Sequence, residues 1–331
     1  MATVSVPIKI KASPRPIRPV DPAHDLPAVV DLIAIGFQDE LGPEGQKMLK
    51  QMQRLAHPLL PLPLLTLFSS PDSTLPGFVW EEGECIVANL SLRRATASRG
   101  QGWIIGNVVV HPDFRGRGIG RALMETALDT VRVQDGRWIG LEVRATNEVA
   151  RHLYKSLHFY DVGRTVHMLR STGDPWPDFP APSGPWRPTR PADRHLWAQL
   201  AASIYDILQR RILEIYPARY AFGALERRLS LWFQGEREDA WLEPTPSPRR
   251  AVRVRTDRRH RFHRWDLLVH PRQPERTAEE TVAQARAATL RHHRDWPVTV
   301  TVEAGSPTLP FLETLGFRHH RTLVQMYQEM N

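Results

Sequence analysis

The chain has 331 residues, 41% of them hydrophobic and 24% charged, with a formal net charge of +8. That length and balance fit about two globular domains and exclude a disordered or low-complexity chain. The only cysteine, Cys85, rules out an intrachain disulfide and favours a reducing compartment. Its alternating surroundings predict a packed strand residue. The first sixteen residues lack the apolar core of a signal peptide, and no apolar run approaches membrane-spanning length. A cytoplasmic protein without a membrane partner is expected. The basic surplus invites a nucleic-acid reading. Against it, the cations are nearly all Arg, with Lys only at Lys9, Lys11, Lys47, Lys50 and Lys155, and they are spread along the whole chain.

In chain order, residues 16–20 predict a short strand. Asp21-Pro22 or Asp25 then starts a helix that Gly42-Pro43 ends. A second helix is expected over 44–57, followed by a Pro-rich apolar stretch to residue 76. Strand patterns at 77–80 and 85–92 flank Glu81-Glu82-Gly83-Glu84, a hairpin signal. A third antiparallel strand is expected over 103–110. Next come a Gly-rich turn, a helix to about Val133, a strand over 138–143, a helix over 147–157 and a strand over 159–169. The order β-α-α-β-β-β-α-β-α-β predicts an open mixed sheet with helices on both faces.

The stretch from Asn107 to Arg121, NVVVHPDFRGRGIGR, carries the chemistry. Val108, Val109 and Val110 end a strand. Arg115, Gly116, Arg117, Gly118, Ile119 and Gly120 form the turn, and Arg121 lies in the helix that follows. Free N–H groups of a first helical turn, with the positive end of its dipole, attract a phosphate. Glycines let a ligand approach the backbone closely. The dinucleotide fingerprint fails because Arg121 stands where its third glycine would be, and the P-loop motif is absent.

This stretch resembles the pyrophosphate-binding motif of the GNAT superfamily of N-acetyltransferases, [QR]-x-x-G-x-[GA], complete at Arg115–Gly120. The resemblance implies acetyl-coenzyme A as acyl donor, with its pantetheine arm pairing along Val108–Val110 where the sheet splays. A second stretch, Asn147 to Phe159, resembles the family's N-x-x-A-x-x-L-Y-x-x-x-G-F. It implies that Asn147 contacts the cofactor and that Tyr154 protonates the departing thiolate. His158 stands where the family has glycine, in a position expected to be left-handed.

A Pro-rich linker over 171–188 marks a boundary between residues 1–170 and 189–331. Beyond it the chain repeats itself. Arg18-Pro19 recurs as Arg187-Pro188, Val110-His111-Pro112 as Val269-His270-Pro271, and Leu157-His158-Phe159 as Leu315-Gly316-Phe317. The expected fold is α/β: two tandem acetyltransferase domains, each an open mixed sheet flanked by helices. In the second copy the loop becomes Pro274-Glu275-Arg276-Thr277-Ala278-Glu279, Tyr154 maps to Leu312 and Asn147 to Gly305. The second copy is read as degenerate, with Glu275, Glu279 and Glu280 repelling a pyrophosphate.

The expected activity is direct transfer of an acetyl group to a primary amine on a small molecule or peptide, with Tyr154 as general acid. The strand before the loop carries no carboxylate, so the base is open among Glu142, Asp39, Glu40, His111, His152 and a water chain. No metal-ligand spacing appears. The alternative is a coenzyme A-binding sensor or scaffold without turnover. The sequence leaves the acceptor and the oligomeric state undetermined.

Overall fold

A computed structural model describes residues 16–36, 77–96, 101–173, 175–222, 224, 227, 231–232, 235–293 and 296–330. The expected helix over 44–57, the Pro-rich stretch after it, and Asp39 and Glu40 lie outside the described residues. The chain forms two compact units, which do not divide at the Pro-rich segment. The first holds the described residues through Glu142, with Ser156–Phe159 and the chain end from Tyr327; the second holds Val143–Lys155 and Tyr160–Met326.

In the first unit, β1 (Ile17–Pro19), β2 (Gly77–Glu82), β3 (Cys85–Arg94) and β4 (Gly102–Val110) pair antiparallel in that order, and β5 (Trp138–Arg144) joins β4 in parallel. Gly83, at φ 64, makes the tight β2–β3 turn. Cys85, expected to be packed, is exposed, because it sits beside that turn where the strand has only begun. Helix α1 (Pro22–Gly36) buries Leu26, Val29, Val30 and Leu32. Helix α2 (Ile119–Val133) links β4 to β5. Its buried Ile119, Ala122, Leu123, Met124, Ala127, Leu128 and Val131 form a broad stripe at helical spacing. A Cβ on Gly102 would lie 2.1 Å from the Trp138 ring, so glycine there lets the indole seat against β4. Trp138 also stacks on Tyr327, with ring centroids 5.7 Å apart.

The second unit begins with α3 (Glu148–Ser156), which belongs to it through Lys155, and β6 (Tyr160–Arg170). It continues with β7 (Arg187–Pro188), α4 (Arg194–Ala202), α5 (Ile207–Ile212), β8 (Glu236–Leu242), β9 (Arg250–Asp257) and β10 (Phe262–Val269). Helix α6 (Glu275–Leu290), β11 (Val298–Glu303), α7 (Leu309–Thr314) and β12 (Arg318–Glu329) complete it. Its strand order is β12-β6-β11-β10-β9-β8-β7. Strand β6 therefore pairs with β11, antiparallel from Val298↔Arg170 to Glu303↔Thr165. Residues 249–264, where Arg alternates with apolar side chains, lie in the β9–β10 hairpin.

The Pro-rich segment is part of this unit's core. Phe179 is buried, Trp176 stacks on the buried Trp265, and Arg286 donates to the carbonyls of Pro177 and Phe179.

The repeat has a structural counterpart. Arg18 makes two hydrogen bonds to Asp25, at 2.6 and 2.9 Å, and Asp25 also accepts from the Asp21 N–H. Arg187 makes the same two bonds to Asp193, at 2.6 and 2.9 Å, and Asp193 accepts from the Arg190 N–H. The Nδ1 of His111 accepts from the Asp113 N–H, and that of His270 from the Arg272 N–H. His158 and Gly316 both take left-handed φ, at 67 and 82.

Candidate active site

Strand β4 outruns its parallel partner. The β4–β5 register runs from Gly102↔Trp138 to Ile105↔Leu141, while β4 continues through Gly106 to Val110. The His111 N–H is spent on the Val87 carbonyl of β3, at 2.9 Å. By strand alternation the Val110 N–H points to the opposite edge, where β5 no longer pairs with β4. That edge carries backbone donors and acceptors for an extended ligand.

A short 3₁₀ turn at Pro112–Phe114 follows, then the loop. Gly116 and Gly118 stand at φ 76 and 77, and a Cβ built on either meets nothing within 4 Å. Gly118 caps α2 with no side-chain hydrogen bond, and α2 has no acidic residue in its first turn. The N–H groups of Ile119, Gly120 and Arg121 thus open onto space that only a glycine loop leaves free. Arg115 Nε donates to the Val110 carbonyl at 3.2 Å, and Arg117 Nη2 donates to the Asp113 carbonyl at 3.1 Å while lying over the Phe114 ring. Arg121 donates to Ser156 Oγ at 2.6 Å. Three cations are therefore fixed around an uncapped helix start, a donor set that fits a pyrophosphate.

Asn147 and Tyr154 lie in the second unit. Asn147 caps α3, its Oδ1 accepting from the Ala150 N–H at 3.1 Å. Tyr154 is 6% exposed and is the buried residue of α3. Burial pushes its hydroxyl up to about 12, so the phenol stays protonated throughout the neutral range. Of the remaining base candidates, Glu142 and His152 are exposed, and His111 holds the turn through its Nδ1.

The corresponding place in the second half is built differently. Helix α6 is capped by Pro274, with Glu275 in its first turn. Glu280 is tied to Arg250, Arg276 and the Ser183 hydroxyl of the Pro-rich segment. Leu312, in the position of Tyr154, is fully buried in the apolar core.

Residues 46–159, which span this loop and β4, match the model of the acetyltransferase (GNAT) family. This segment belongs to the GNAT superfamily. The chain is 45% identical over 53 residues to the [ribosomal protein bS18]-alanine N-acetyltransferase of Salmonella typhimurium, covering 16% of this chain and 36% of that protein. It is 34% identical over 92 residues to the mycothiol acetyltransferase of Beutenbergia cavernae, covering 28% and 30% of the two chains. The chain thus spans about a third of the length of these relatives. A tandem GNAT protein from the clavulanic acid biosynthesis pathway superposes with a TM-score of 0.59 at 17% identity, over 95% of this chain and 98% of that one. A GCN5-related N-acetyltransferase from Sphaerobacter thermophilus gives 0.62 at 16% identity, over 95% of each chain. The tandem GNAT fold therefore covers nearly the whole chain.

Proposed function

We propose that the chain is an acetyl-coenzyme A-dependent N-acetyltransferase acting by direct transfer on a primary amine. The observation that carries this reading is the uncapped, glycine-lined start of α2 at the open end of β4. When bound, acetyl-coenzyme A supplies the acyl group as a thioester. The N–H groups of Ile119, Gly120 and Arg121 hold its pyrophosphate, with Arg115 and Arg117 adding positive charge. Val108 and Val109 line the extended arm, and Asn147 is assigned a cofactor contact on the strength of the family motif it opens. The Val110 N–H, aimed at the unpaired edge, polarises the thioester carbonyl as a fixed dipole. Tyr154 holds a proton on Oη for the departing thiolate, and burial keeps that proton in place at neutral pH. The amine's proton leaves through water, through the exposed Glu142 or His152, or through the half-buried His111. The carboxylates at the start of α6 leave the second half without a cofactor.

The acceptor class suggested by the ribosomal-protein alanine N-acetyltransferase is the amine of an alanine in a peptide. The test is thiol release from acetyl-coenzyme A with a panel of amines that includes peptides beginning with alanine. Amine-dependent release supports the enzyme reading. Tight binding of acetyl-coenzyme A with no release across the panel favours the sensor reading instead.

A further inference from the structure

Strands β3 and β4 lose register once. Asn89 stands opposite Val109 and Ser91 opposite Gly106, so Asn107 and Val108 together face Leu90 alone. This is a β-bulge, and its first residue, Asn107, sits at φ 48. The extra residue changes the phase of the strand. Ile105 faces one side of the sheet, and Val109 is turned to the other. There the end of α1 presses on it, since a Cβ on Gly36 would lie 2.5 Å from Val109 Cγ1.

Two amides hold the bulge. Asn89 Nδ2 donates to the Asn107 carbonyl at 3.0 Å, and Asn107 Nδ2 donates to Ser91 Oγ at 3.3 Å. Asn89 is 1% exposed, and its own Oδ1 has no hydrogen-bond partner among the described residues. A buried amide half satisfied is a stability cost that an apolar side chain would avoid. The second half shows that the fold does not require the bulge. Its β9–β10 hairpin keeps one register from Phe262↔Asp257 to Val269↔Arg250 without a break. There Asp266 holds the position of Asn107, directly opposite Arg253 and ion-paired to it. The bulge belongs only to the half that carries the glycine loop.

We infer that Asn89 is a positioning residue for acyl transfer: its side-chain amide locks the bulge at Asn107 and so sets the phase in which the Val110 N–H meets the open edge of β4. This rests on the acetyltransferase reading and adds a residue that never touches the substrate. Asn89→Leu keeps the size of the side chain, removes the locking donor and also removes the orphaned acceptor. The Asn107 carbonyl loses a donor while the orphaned Oδ1 is removed, so thermal stability should stay close to the parent's.

The functional readout is the carbonyl stretch of 13C-labelled acetyl-coenzyme A bound to the full chain, measured by infrared difference spectroscopy. The parent should shift the thioester carbonyl to lower frequency. Asn89→Leu should lose most of that shift while binding the cofactor with little change in affinity. Asn107→Val, whose branched side chain is incompatible with φ 48, should lose the shift too. Asn107→Gly should keep it. If Asn89→Leu proves insoluble, the two Asn107 variants carry the comparison alone. A full shift in Asn89→Leu or Asn107→Val overturns the inference. No shift in the parent overturns instead the assignment of Val110 as the polarising donor, which separates the two failures.

Discussion

Replacing Gly118 with Val puts a side chain into the space in front of α2. The backbone stands at φ 77, and the new Cβ meets nothing within 4 Å. The only cost to the fold is the left-handed conformation, about 1–2 kcal/mol, against a usual net stability of roughly 5–15 kcal/mol. The variant should remain folded. A pyrophosphate held by first-turn N–H groups makes charged hydrogen bonds worth about 1.5–3 kcal/mol each. Losing two of them amounts to about 3–6 kcal/mol, or roughly 10²–10⁴-fold in Kd for acetyl-coenzyme A. Calorimetry on the full chain measures this directly. Gly83→Val is the matched control, because Gly83 stands at φ 64 with equally open space around it. It pays the same strain far from the loop and should bind as the parent does. An unchanged Kd in Gly118→Val refutes the reasoning, and so does an equal loss in both variants, since strain alone would then explain it.

Tyr154→Phe keeps the buried ring and removes the proton; turnover in the thiol-release assay should fall by roughly 10²–10⁴-fold with acetyl-coenzyme A affinity unchanged. A loss under about threefold would mark the hydroxyl as dispensable and the ring as packing alone. The intact chain should bind one acetyl-coenzyme A; a calorimetric stoichiometry of two would show that α6 accepts the cofactor despite Glu275. His158→Gly should raise stability by about 1 kcal/mol in urea titrations, the relief of a left-handed non-glycine residue less the extra freedom of the unfolded chain. Asp193 is held below its ordinary pKa by Arg187, and Asp25, despite burial, by Arg18 and the Asp21 N–H. A depressed carboxylate contributes stability above its unfolded pKa of about 4 and loses it as pH falls through the lower folded value. Acid unfolding of Asp25→Asn and Asp193→Asn should therefore depend less steeply on pH below about 4 than that of the parent.

The local elements were legible because their signals are local. The β2–β3 turn, the glycine cap of α2 and the helices at 119–133 and 148–156 follow from spacing and turn chemistry, and their bounds fall within about two residues of expectation. Partner choice was not legible. The alternation in β6 is the same whether it pairs with a strand before it or with β11, which lies more than a hundred residues on. The packing of the Pro-rich segment left a fainter signal, Trp176, Phe179 and Trp186 among its prolines, too much apolar surface for a solvated linker. Cys85 misled because alternation says nothing about where a strand begins. Asn107 could have been noticed, since Asn tolerates positive φ, but only the broken register reveals a bulge.

The two halves separate what the fold needs from what the chemistry needs. Both keep the Arg–Asp pair that ties the first strand to the start of the first helix, and in each the carboxylate also accepts a backbone N–H. Breaking that arrangement would leave a guanidinium and an amide poorly satisfied near the core, a loss that any version of this fold would feel. Both keep the histidine that takes a backbone N–H two residues on, and both keep the left-handed residue after the short helix. Those contacts act within the scaffold, so they persist whether or not anything binds. The glycines at 116 and 118, the bulge at Asn107 and the phenol of Tyr154 are different. Each constrains the backbone or buries a polar group, and the corresponding positions of the second half have none of them. It has Glu275 at the helix start, an unbroken register at Asp266 and Leu312 in the core. Costly features confined to one copy of a duplicated fold mark where selection for a ligand outweighs selection for stability.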